Sequence, residues 1–134
     1  FAFKRDYVRL VGNKDRKPRF EALDIVSLIP LPRPEKGQEL ACHNPCYLSK
    51  QGIRLSDELA RKGFKFGEVI EDCCGAGGGV YFTNSHLAQE LGRKAVKGTG
   101  AKTLVTGCPF CREQFEKVIN KENKVIHYIE LFGQ

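Results

Sequence analysis

The chain has 134 residues, 41% hydrophobic and 28% charged, the composition of one ordinary soluble domain with enough apolar material for a core. No apolar run approaches the roughly 18–20 residues of a membrane span, and the opening Phe1-Ala2-Phe3-Lys4-Arg5-Asp6 lacks the apolar centre of a signal peptide. The net charge of +6 comes with no nucleic-acid motif and no aromatic-basic stripe, so nucleic acid is excluded as a partner and the excess reads as a solvated surface, partly offset once thiolates bind metal.

At the N-terminus the absence of methionine means that Phe1 is not a translation start, and the chain reads as a fragment or processed product. The first 35 residues are rich in Lys and Arg and close on Pro30-Leu31-Pro32-Arg33-Pro34, a stiff linker. Phe3–Val8 followed by Phe20–Val26 parallels Phe115–Val118 followed by Lys124–Glu130: each is a helix end, a polar turn and a short strand running into a helix. Residues 1–35 are therefore expected to be the tail of a preceding repeat plus a linker, with the domain proper at 36–134.

From residue 38 onward strand and helix signals alternate. Glu39-Leu40-Ala41-Cys42 predicts a short strand closed by the turn His43-Asn44-Pro45. Gly52–Lys62 predicts a helix with Ile53, Leu55, Leu59 and Ala60 inward. Phe66–Ile70 predicts a second strand. A helix capped by Asn84 or Ser85 should run to Lys97 with Leu87, Ala88, Leu91 and Ala95 inside, ending at Gly98. Thr103–Thr106 is a buried-strand pattern. A helix from Pro109 to Asn120 should turn Phe110, Phe115, Val118 and Ile119 inward. Lys124–His127 is a last strand, and Tyr128–Phe132 begins a final helix. Such alternation implies an α/β fold with a small, mostly parallel sheet and flanking helices. Cysteine groups follow three successive strands, which places them together at the carboxyl edge of the sheet.

The six cysteines occur as Cys42-x3-Cys46, Cys73-Cys74 and Cys108-x2-Cys111. A disulfide framework fits poorly, because adjacent Cα atoms lie about 3.8 Å apart, below the usual disulfide range. Cys108-Pro109-Phe110-Cys111 has the look of a thioredoxin dithiol, but no proline follows Pro109 to supply that fold's later cis-proline. Metal binding accounts for the set best. Zinc could use Cys42, Cys46, Cys108 and Cys111, leaving Cys73 and Cys74 without a role. A cluster of several irons could take the vicinal pair as well.

Gly75-Ala76-Gly77-Gly78-Gly79 lacks both the third glycine of a dinucleotide fingerprint and the Lys-Ser/Thr ending of a phosphate loop. Its expected role is to bring backbone amides up to ligand sulfurs. Of the three histidines, only His43 is expected near the site. Lys50 and Arg54 are candidates to attract an anionic substrate.

Together, Cys73-Cys74-Gly75-Ala76-Gly77-Gly78-Gly79, the later Cys108-Pro109-Phe110-Cys111 and the upstream His43-Asn44-Pro45-Cys46-Tyr47-Leu48 resemble the cysteine-rich CCG domain. That domain occurs in the B and D subunits of heterodisulfide reductases and in related iron–sulfur oxidoreductases. The resemblance covers residues 38–134 and implies ligands at Cys46, Cys73, Cys74, Cys108 and Cys111, with Cys42 a possible substitute for Cys46. It implies a noncubane [4Fe-4S] cluster, with zinc as the alternative occupant. It implies an oxidoreductase domain that transfers electrons and acts on a thiol, a disulfide or a related small substrate. The expected partners are other subunits of a redox complex and a preceding CCG repeat. The expected compartment is the reducing cytoplasm, whether free or in a membrane-associated complex. The alternative is a zinc-stabilised structural or assembly domain with no catalysis of its own.

Overall fold

A computed structural model describes residues 39–132. The expectation that residues 1–35 are the end of a preceding repeat lies outside these residues. The elements in chain order are β1 (Leu40–His43), α1 (Cys46–Ser49), α2 (Leu55–Arg61), β2 (Glu68–Ile70), α3 (Val80–Thr83), α4 (Ser85–Ala95), β3 (Thr103–Thr106), α5 (Pro109–Val118), β4 (Lys124–His127) and a 3-10 turn, Tyr128–Phe132.

The four strands form one parallel sheet in the order β2-β1-β3-β4. This is the α/β class expected from the sequence. Parallel neighbours cannot be joined by tight hairpins, so helices bridge each pair of successive strands. Side chains alternate along each strand, and the register fixes which residues share a face. Ala41, Leu104 and Val125 lie side by side across β1, β3 and β4, in one core with Ala95 of α4 and Cys111 and Phe115 of α5. Cys42, Val105 and Ile126 lie one residue further on and face the other way, on the side where α2 packs its buried Leu55 and Leu59 against β1.

From β1 the chain steps to β2 on one side; from β2 it crosses over to β3 on the other. The strand order thus reverses at β1 and β3, and open α/β sheets leave a crevice outside the carboxyl ends of strands at such a point. The loops after β1, β2 and β3 all open there.

Several boundaries are shorter than the sequence suggests. The helix expected at 52–62 starts at Leu55, because Gly52 takes a φ of 73° to close the turn after α1 and Arg54 is extended. The strand expected at 66–70 begins at Glu68, and α5 ends at Val118 with Ile119 extended. Three side chains expected inside are outside: Ala60 is exposed, and Leu87 is 46% and Phe110 56% exposed. In α4 the buried stripe is Ala88, Gly92 and Ala95, small residues that let α5 approach closely, and Leu87 falls beside it. In α5 the stripe is Cys111, Gln114 and Phe115, which turns Phe110 away from the core.

Candidate metal centre

The first loop follows β1. Asn44 is buried and holds it: the Asn44 backbone N–H donates to the Ile70 carbonyl (2.9 Å), and its side-chain amide donates to Ser56 Oγ (3.0 Å) and Glu71 Oε1 (2.9 Å) while accepting from Ser56 N–H (2.9 Å). Pro45 then starts α1, with Cys46 exposed at its first position.

The second loop, after β2, carries Cys73 exposed and Cys74 buried. Gly75 has a φ of +81°, and a Cβ there would stand 2.5 Å from the Ala88 carbonyl oxygen of α4, so only glycine lets this backbone lie against the helix. The close fit aims two amides at sulfur: Gly75 N–H toward Cys73 Sγ (3.4 Å) and Ala76 N–H toward Cys74 Sγ (3.5 Å). The amide role expected of the glycine stretch is therefore met at its first two residues. The third loop joins β3 to α5, where Cys108 is the N-cap residue, Pro109 occupies the first turn and Cys111 is buried. Cys74 and Cys111, from different loops, bring their sulfurs to 3.0 Å.

Cross-links fix the loops to one another. The ring of His43, at the end of β1, donates from Nε2 to the Asp72 carbonyl (3.1 Å), which makes Nδ1 the acceptor for the Thr106 hydroxyl (3.0 Å). Tyr47 donates its hydroxyl to the Gly107 carbonyl (2.7 Å), tying the first loop to the third. Tyr81 of α3 donates to Glu113 of α5 (2.7 Å), and Lys117 engages both.

The electrostatics separate the thiols. Cys108 is drawn below the ordinary thiol range by hydrogen bonding with Cys111 and by the backbone amides of Phe110 and Cys111 at the start of α5. Cys74 is lowered by Cys111 and by the Ala76 amide. Cys111, between the two, is raised, since both neighbouring sulfurs hydrogen-bond to its protonated form. Cys46 is raised first by desolvation and then by the negative charge of Cys73, Cys74 and Cys108, with Lys50 acting in the opposite sense. Cys46 is thus within electrostatic reach of Cys73, Cys74 and Cys108.

Cys42 stands apart. It lies within β1, is fully buried, and is pushed up to about 12 by burial and then by Glu71 and Asp57, with Arg54 opposing. None of the other five thiols contributes. Lys50 and Arg54 divide in the same way: Lys50 acts on Cys46, whereas Arg54 is paired with Glu71 at 2.5 Å on the Cys42 side. His43 is near the site as expected, but through the backbone of Asp72 rather than as a sulfur neighbour.

Among the described residues no three His, Cys, Asp or Glu side chains close around a point able to hold a single metal ion. The donor set has its own chemistry. Five thiols exceed the four positions of a tetrahedral zinc site and suit a group of several irons, to which the Gly75 and Ala76 amides can donate at sulfur. Sequence reasoning missed three residues here: Asn44, Tyr47 and Gln114. Gln114 sits one turn after Cys111, is buried, and neither polar atom of its side-chain amide has a hydrogen-bond partner. A glutamine inside the Cys111–Phe115 stripe of an otherwise apolar helix face was the available signal.

Comparison with known proteins places these residues in context. The family model described as a cysteine-rich domain, CCG, matches residues 40–116. The B subunit of the fumarate reductase (CoM/CoB) of Methanothermobacter marburgensis is 30% identical over 102 residues, covering 66% of this chain and 21% of that protein. An uncharacterised iron–sulfur protein of Methanococcus maripaludis is 32% identical over 88 residues, covering 59% of this chain and 18% of its own length. The D subunit of the dihydromethanophenazine:CoB–CoM heterodisulfide reductase of Methanosarcina barkeri is 31% identical over 131 residues, covering 83% of this chain and 31% of that protein. The chain thus spans about a fifth to a third of the length of these relatives. Among the described residues no helix is long and apolar enough to cross a membrane.

Proposed function

The chain belongs to the cysteine-rich CCG family, and from that premise we propose that it is an iron–sulfur domain of a heterodisulfide-reductase-like oxidoreductase. Its ligands in this reading are Cys46, Cys73, Cys74, Cys108 and Cys111, and its group is a [4Fe-4S] cluster of the noncubane kind. The observation that carries the reading is that Cys74, after β2, and Cys111, after β3, bring their sulfurs to 3.0 Å at the carboxyl edge of the parallel sheet. The names of the relatives, a component of a heterodisulfide reductase and an iron–sulfur protein among them, support the same class.

When bound, such a cluster supplies one-electron redox chemistry at an exposed mouth. The chain's own residues do the rest. Cys46 and Cys73, on the exposed side, face whatever enters, while Cys74 and Cys111 anchor from below. The Gly75 and Ala76 amides stabilise negative charge on sulfur. Lys50, beside Cys46, favours an anionic thiol or disulfide as the substrate. Phe82 and Phe110, 79% and 56% exposed on α3 and α5, offer apolar surface to another component of a redox complex.

The deciding experiment is metal analysis of protein purified without oxygen. Iron and acid-labile sulfide near about four each per chain are expected. About one zinc with no sulfide would replace this reading with a zinc-stabilised assembly domain. In the loaded protein, the paramagnetic spectrum of the reduced state should change on adding a small anionic thiol or disulfide; indifference to all of them would leave electron relay as the domain's task.

A further inference from the structure

Among the described residues, Gln114 is a buried side-chain amide that the fold leaves without partners. It is 1% exposed, and both Nε2 and Oε1 lack hydrogen-bond partners. An unsatisfied buried amide costs stability that a methionine or leucine of similar size would not, so the residue type is a liability to the fold taken alone. Its location is specific. A Cβ built on Gly92 of α4 would stand 3.2 Å from Gln114 Nε2 and 3.2 Å from the Cys74 carbonyl oxygen, so both groups line one crevice between α4, α5 and the Cys74 backbone. Cys111, whose sulfur lies 3.0 Å from that of Cys74, is on the same face of α5 one turn earlier. The absence of a side chain at Gly92 leaves the crevice open for the amide.

We propose that Gln114 is a positioning residue for the metal centre: its side-chain N–H donates to Cys74 once Cys74 and Cys111 are drawn onto the cluster. This rests on the iron–sulfur reading above. A ligand thiolate is anionic and accepts hydrogen bonds strongly, whereas a thiol accepts them weakly. The amide is unpaired in the thiol state because its partner is the loaded state of Cys74. Donation there lowers electron density on the sulfur, raises the reduction potential and slows loss of the ligand. A structural glutamine would behave differently, because it would stabilise the metal-free fold.

The test compares Gln114→Met with the unmutated full chain, metal-free and after reconstitution with iron and sulfide. Metal-free Gln114→Met should unfold at the same or a higher denaturant concentration. Reconstituted Gln114→Met should have a more negative midpoint potential and lose iron to a chelator roughly tenfold faster, the factor set by one hydrogen bond to a charged group. Failure of the unmutated chain to take up iron and sulfide would overturn the cluster reading and this inference with it. Uptake by both proteins with equal potentials and equal iron loss would overturn the inference alone, as would a metal-free variant that is strongly destabilised. A second readout needs no variant: with glutamine amides labelled with 15N, the reduced cluster should show a hyperfine coupling to one of them through the hydrogen bond. Its absence would also overturn the assignment.

Discussion

His43 and Thr106 meet at 3.0 Å across the carboxyl ends of β1 and β3, where Nδ1 accepts because the other ring nitrogen donates to the Asp72 carbonyl in the loop leading to Cys73. The ring also stands edge-on to Phe115, its centroid 4.8 Å away, so it is clamped from the core side as well. A buried neutral imidazole thus joins strand, neighbouring strand and cysteine loop.

Acid should loosen that joint. Burial pushes the His43 pKa down to about 4 from its ordinary 6.5, against the Asp72 carbonyl and the Glu71 and Asp72 carboxylates, which raise it. The unfolded ring binds its proton first on acidification, so His43 leaves stability intact above pH 6.5 and lowers it as pH falls toward 4. Between neutral pH and the lower end of that window the loss is about 2–3 kcal/mol. Urea denaturation of the metal-free chain at both ends of the window measures it, and the difference should shrink in His43→Gln. An unchanged difference would mean that other groups carry the acid sensitivity.

The glycine stretch should not behave uniformly. At Gly75 a side chain meets both a positive φ and the Ala88 carbonyl at 2.5 Å, whereas at Gly78 the φ is +65° and the space is open. Gly78→Ala should cost about 1–2 kcal/mol from backbone strain alone. Gly75→Ala should cost more and should also pull the Gly75 and Ala76 amides away from the sulfurs. Paired denaturation and iron-uptake measurements separate the two, and equal effects would show that the contact with α4 is immaterial.

The ligand assignment predicts a split among the cysteines. Cys73→Ser, Cys74→Ser, Cys108→Ser and Cys111→Ser should each lose or strongly perturb the metal centre. Cys46→Ser should do more harm to metal content than Cys42→Ser. Because Cys42 is fully buried, its serine variant should instead show a folding defect of about 1–3 kcal/mol from the buried hydroxyl. Iron per chain, read beside the unfolding midpoint, distinguishes the two. Loss of iron in Cys42→Ser with retention in Cys46→Ser would reverse the assignment.

Asn44→Ala tests the first loop. It removes the side chain that satisfies the Ser56 N–H and bridges Ser56 to Glu71. Leaving a buried donor unpaired should cost about 2–3 kcal/mol. Asn44→Asp, which retains the acceptor for Ser56 N–H but brings a carboxylate up to Glu71, should cost a comparable amount and respond to salt. Denaturation curves at low and high ionic strength check this, and Asn44→Ala with unaltered stability would rule out the pinning role.

Much of this site could be read from residue order alone, because a parallel sheet converts "cysteine after strand" into "cysteine at one edge" without further information. The crossover helices and the strands with β-branched cores, Thr103–Thr106 and Lys124–His127, were legible for the same reason. Periodicity was less informative where a helix face is made of small residues: Ala88 and Ala95 of the inward stripe of α4 are legible in the sequence, but Gly92 is missed and the bulkier Leu87 is counted in. At α5 the phase is set by Cys111, which the sequence offers as a ligand candidate, and by the polar Gln114, so Phe110 seemed an inward residue when it is an outward one. Cys42 is expected in a strand, where it lies, but its spacing to Cys46 does not say which face of the sheet it takes, since one residue along a strand changes the face.

The sheet order also bears on synthesis. Cys46, Cys73 and Cys74 follow β1 and β2, which pair directly, whereas Cys108 and Cys111 join them only when β3 has paired on the other side of β1. A nascent chain emerging from the ribosome therefore carries an incomplete set of thiols until β3 and the start of α5 have appeared. Loop-closure entropy delays such non-local parallel pairing. Iron delivery is thus expected to follow the docking of β3, which gives a cell a late checkpoint: chains that stall before this strand cannot sequester a full cluster.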